Sequence, residues 1–177
     1  MPDRRIRLVL PLPNLNFVVL ALWKTAAALE QDERWFGELG GLTFDQSQAL
    51  NDDMMAVRYA LRGSPRTIDP RTRELRPPLE PRKTGTYWDE LPRMEAENLP
   101  DGRVAVTLPQ EKLAVFPRLL EASLVYVAPN RSKDEEERFQ GNLGASTEKA
   151  QELADELRRL NWRMQVAGAK RFMHRTS

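Results

Sequence analysis

The stretch RVAVTL, Arg103–Leu108, decides how this chain folds. Val104, Val106 and Leu108 alternate with Arg103, Ala105 and Thr107, the two-residue period of a half-buried strand. Pro100-Asp101-Gly102 stands before it as a turn signal. A lone strand leaves its backbone donors and acceptors without partners, so it requires a second. RIRLVL, Arg5–Leu10, has the same alternation, with Ile6, Leu8 and Leu10 on one face. Pairing the two is the economical solution. It ties the start of the chain to its second half.

The rest reads mainly as helix. Phe17–Gln31 is apolar on nearly every face and then alanine-rich, which suits a buried helix; Phe17-Val18-Val19 also fits a hairpin strand. The proline and asparagine cluster at 11–16 reads as a turn before it. Thr43 with Gln46 forms a capping-box signature for a helix carrying Leu50, Met54, Val57 and Leu61 on one stripe, with Gly63 as its stop. From Pro109 to Val127 Leu113, Phe116, Leu120 and Leu124 keep helical spacing, and Pro117 predicts a kink or two shorter helices. Ser132 and Glu135 cap a short acidic helix expected to end at Gly141. The last helix is the strongest pattern: from Ala150, the residues Leu153, Leu157, Leu160, Met164 and Ala167 step by threes and fours along one seam, heptad-like. Its acids lie early and its bases late, matching the helix dipole. The expected fold is therefore mainly α with a minor β-pair (α+β), a compact helical domain of residues 1–177 with a long C-terminal helix.

Composition narrows the class. With 41% hydrophobic and 30% charged residues and a formal net charge of +1, the chain reads as soluble and globular, with no global field toward nucleic acid or membrane. Zero cysteines exclude disulfides and thiolate chemistry and agree with a cytoplasmic protein. The basic start, apolar middle and Ala26-Ala27-Ala28 imitate a secretory signal, but Pro11, Pro13, Asn14, Asn16 and Lys24 interrupt it. No run of about 20 apolar residues exists to span a bilayer.

Catalytic side chains are sparse. The single histidine, His174, lies four residues from the end, where a side chain is poorly fixed. No serine-nucleophile or phosphate-loop motif occurs. Asp52-Asp53 fall about 100° apart on a helix, so they cannot serve one ion together, and they and the acids Asp134–Glu137 read as solvated faces. The expectation is a protein without catalytic, cofactor or metal residues, an enzyme with carboxylates gathered around a metal being the distant alternative.

Partner-binding residues are easier to nominate. Trp162 falls opposite the seam of the last helix among Arg158, Arg159 and Arg163, a combination suited to a protein hot spot or to stacking a base. The tail 168–177 adds Lys170 and Arg171 beside Phe172 and Met173. Gly63–Gly85 holds five of the chain's 13 prolines, with Arg66, Arg71, Arg73, Arg76, Arg82 and Lys83. It reads as an extended surface arm pinned by Tyr87 and Trp88, and its Pro78-Leu79-Glu80-Pro81-Arg82-Lys83 also fits a polyproline docking ligand. The functional expectation is a non-catalytic subunit or adaptor binding protein partners through these arginines and Trp162. The alternative is a nucleic-acid-binding subunit using the basic end of the last helix, and the seam would also permit self-association.

Overall fold

In the computed structural model, which describes residues 5–29, 41–62, 71–74, 80 and 82–173 (backbone alone at 22–29 and 168–173), Arg103–Pro109 is the central strand of a sheet. Strand β1 is Arg5–Pro11, β2 is Glu95–Asn98 and β3 is Arg103–Pro109. The order is β1-β3-β2 and both pairings are antiparallel. The expected union of β1 with β3 is therefore present, in a register that sets Ile6 opposite Leu108, Leu8 opposite Val106 and Leu10 opposite Val104.

The third strand was not expected from the sequence. Glu-Ala-Glu-Asn has poor intrinsic preference for a strand, and neighbours override it. Leu99-Pro100-Asp101-Gly102 closes a tight hairpin: the Gly102 amide donates to the Leu99 carbonyl at 3.1 Å and the Leu99 amide to the Arg103 carbonyl at 2.9 Å. Gly102 has φ +79°, a conformation open to glycine and strained for other residues. On the outer face Glu95 and Glu97 reach over the small residues of β3 to Arg5 (3.6 Å) and Arg7 (2.6 Å) of β1. Ala105, only 1% exposed, lies beneath this lattice.

The inner face packs on helices. Helix α1 is Leu12–Leu29, α2 Phe44–Leu61, α3 Gln110–Leu113, α4 Phe116–Val127, α5 Lys133–Leu143 and α6 Thr147–Met173. Helix α1 starts at Leu12, so the turn expected at 11–16 is wrong. Pro13 sits in its first turn, where the missing N–H has no helical partner to lose. Phe17–Val19 is helical, which removes the hairpin reading. Pro117 likewise opens α4, and the chain breaks into α3 and α4 as expected. The α5 helix passes Gly141 and stops at Leu143, because Gly144 (φ +76°) supplies the left-handed cap. Both capping boxes, Thr43–Gln46 and Ser132–Glu135, are formed. Gly37, Gly40, Gly63 and His174 lie outside the described residues.

One buried cluster takes Leu50, Met54 and Val57 from α2, Phe17 from α1, Val106 and Leu108 from β3, Leu120 from α4 and Phe139 from α5. Each such side chain contributes about 1.5–3 kcal/mol on burial. Phe17 and Phe139 stack at a tilt, centroids 6.4 Å apart. Residues before and after the arm thus share one interior. Cutting the chain at a protease site engineered between Gly63 and Gly85 should leave one particle by size-exclusion chromatography in native buffer. Two folded fragments that elute separately would contradict a shared core.

Candidate functional site

Each residue of a helix turns the side chain by about 100°, and on α6 this separates three faces. Ala150, Leu153, Ala154 and Leu157 are buried, Leu160 and Met164 half-covered and Ala167 exposed, so the seam emerges from the core as the helix advances. Trp162 stands on the opposite crest, 63% exposed. The arginines around it do not form one cluster. Arg158 leans toward α4, paired with Glu121 and with Asp155 (2.9 Å). Arg159 donates from Nε to the Asp155 carbonyl at 3.3 Å. Arg159 and Arg163 turn toward β1. The side chains of Lys170 and Arg171 lie outside the described set.

Between α6 and β1 runs a groove of about 520 Å³. One wall is the continuous run Arg7–Pro11, and the other carries Leu157, Leu160, Arg159 and Arg163. The hydrogen-bond phase of the sheet explains that wall. Since Leu99 bonds to Arg103, the odd-numbered residues of β3 face β2 and the even-numbered ones face β1. In β1, Ile6, Leu8 and Leu10 therefore bond to β3, while the amides of Arg7 and Val9 point out of the edge. Among the described residues no strand pairs with that edge. Pro11, which has no N–H, faces the same way, as prolines in edge strands do.

A second cluster, beside Arg82, escaped the sequence reading. Asp52 and Asp53 are not solvated: they are 9% and 2% exposed on α2. Lys112 of α3, also buried, extends its ammonium to Asp53 Oδ2 and donates to the Pro92 carbonyl at 3.3 Å. Arg93 Nε donates to Asp53 Oδ1 at 3.2 Å. Asp52 takes a separate cation, Arg82 Nε at 3.2 Å. Burial pushes the Asp52 carboxyl above the usual carboxylate range, although Arg82 and Arg93 oppose the shift. The two acids thus point to different partners, as their helical spacing requires. No local signal marks Lys112 as the counter-ion, because 59 residues separate it from Asp53.

Arg82 is accordingly a pin for the arm as well as a surface charge. Just after it, Asp89 draws in the amides of Thr84 (2.7 Å) and Gly85 (3.0 Å), which holds its carboxyl below the usual range. Trp88 is buried, while Tyr87 is exposed and anchors nothing. Arg71, Arg73 and Lys83 are exposed. A turn at Arg71-Thr72 and the left-handed Arg73 (φ +56°) interrupt the expected extended path. Arg66 and Arg76, and most of the PxxP stretch, lie outside the described residues.

Among the described residues no three carboxylate or histidine side chains gather where they could hold a metal ion. Also within that set, no helix is long and apolar enough to cross a membrane. No protein-family model, curated protein or solved structure matches the chain.

Breaking a buried ion pair from one side leaves a stranded charge, which destabilises by about 3–5 kcal/mol. Lys112→Met should fall near the lower limit, about 3 kcal/mol by urea unfolding, because Arg93 still holds Asp53. Adding Asp53→Asn should recover part of the loss. A change in Lys112→Met well under about 1 kcal/mol would show that the pair does not fasten α2 to α3.

Proposed function

We propose that this protein is a non-catalytic subunit or adaptor that holds a protein partner through the second half of α6. The observation that carries the reading is Trp162, 63% exposed on the crest of a helix whose apolar seam is only half-covered at Leu160 and Met164. Tryptophan and arginine are both enriched among the energetic hot spots of protein interfaces. At about 1.5 Å per residue, the 27 residues of α6 reach some 40 Å, more than twice the length of the 12-residue α4 against which it packs. The extra length offers a partner a rigid rod.

The buried charges support the same reading. Asp53 and Lys112 satisfy each other in the interior, which suits a part in holding α2, α3 and the Pro92 segment together. Arg158 and Arg82 are paired with carboxylates, and an arginine so paired has less to give a phosphate. This puts the protein-binding reading ahead of the nucleic-acid one.

The test is purification of the tagged full chain from its native cells, with sedimentation of what accompanies it. A stoichiometric protein partner is expected, and Trp162→Ala should weaken its retention at least tenfold without changing the melting temperature of the chain. Retention unaffected by Trp162→Ala would remove α6 from the interface. Accompanying nucleic acid, released steeply by salt, would favour the alternative.

A further inference from the structure

The groove beside β1 has a chemistry of its own. We infer that it accepts an extended peptide segment of a partner protein, added as a fourth strand to the edge of β1, with apolar and acidic residues alternating along it. This deepens the subunit reading above and rests on it.

Three observations converge. The amides and carbonyls of Arg7 and Val9 point out of the sheet, as the phase set by the Leu99–Arg103 bond requires, and they are spaced to receive a strand. Leu157 and Leu160 line the groove from α6, where they meet the inner-facing side chains of an added strand. The charged residues lining it are Arg7, already paired with Glu97 at 2.6 Å, and Arg159 and Arg163 against Glu156, so the excess of positive charge lies on α6.

An added strand places every second side chain on the outer face beside Arg7 and the others on the inner face beside the leucines. Acidic residues suit the first set, where the half-exposed Arg7 can share its guanidinium between Glu97 and a second carboxylate and Arg159 and Arg163 add positive charge. Apolar residues suit the second. The molecule already displays half of this arrangement: Glu95 and Glu97 of β2 satisfy Arg5 and Arg7 across the width of β3. A second copy of the chain joined β1 to β1 would instead set arginine-bearing strands side by side, which is unfavourable. An acidic segment meets no such opposition.

The probe is a fluorescein-labelled nonapeptide of alternating glutamate and valine, titrated into the full chain and followed by anisotropy. Its counterpart carries lysine for glutamate. The glutamate peptide should bind at least tenfold more tightly, and hydrogen exchange at the Arg7 and Val9 amides should slow in the complex. Val9→Pro, which deletes an outward N–H at an edge position where proline is tolerated, should reduce affinity at least tenfold. The exposed pair Arg159→Glu and Arg163→Glu, which leaves the strand intact, should do the same. Equal binding of both peptides, or binding indifferent to both variants, overturns the proposal. So does a homodimer that Val9→Pro dissociates, since a second copy would then own the edge. If the peptide fails to bind while Trp162→Ala still loses the native partner, the groove proposal falls and the subunit reading stands.

Discussion

The antiparallel pairing of β1 with β3 is the constraint from which the rest of the structure follows. It joins residues 5–11 to residues 103–109, far apart along the chain, and closes the interior that α1, α2 and α4 fill. Its register places the three inward-facing apolar residues of β1, Ile6, Leu8 and Leu10, opposite apolar residues of β3. A slip by one residue would turn Arg5 and Arg7 into the core, so the alternation excludes it. The same pairing leaves β1 at the edge of the sheet. The exposed backbone that makes the groove is thus a consequence of how the fold closes.

Buried electrostatics fixes what the sheet does not. Asp53 lies in the interior with Lys112 and Arg93, so α2, α3 and the segment before β2 must approach in one arrangement. Replacing such a cluster by apolar residues of equal volume is often neutral or favourable, so its contribution here is to geometry more than to stability. Arg82 on Asp52 extends the arrangement outward to the end of the arm. Asn98 completes it, donating at 2.9 Å to the Leu61 carbonyl at the end of α2.

Much of the architecture was legible in the residues, and the failures have physical causes. Strong periodicity found β3, β1, α2 and α6, and cap chemistry found the starts of α2 and α5. The beginning of α1 was hidden because proline signals a turn by composition but a helix start by position. Strand β2 was hidden because its stability comes from a hairpin and from arginines two strands away. That Trp162 stands opposite the seam followed from helical spacing. The division of its arginines between α4 and β1 did not, since it depends on what packs on either side of α6. Asp52 and Asp53 misled most: two adjacent acids read as a solvated face, and only cations distant in sequence explain their burial, Lys112 and Arg93 for Asp53 and Arg82 for Asp52.

The fold closes itself through one strand pairing and leaves, among the described residues, an unpaired strand edge and the exposed crest of a long helix, the two surfaces we propose other proteins use. Amide hydrogen exchange resolved by residue across β1 tests that claim directly. In the isolated protein the amides of Ile6, Leu8 and Leu10, which bond to β3, should exchange slowly, while those of Arg7 and Val9 exchange at rates close to an open chain. Uniform protection along β1 would mean that the edge is already covered, and uniform rapid exchange that β1 does not pair with β3. Either result would contradict the account.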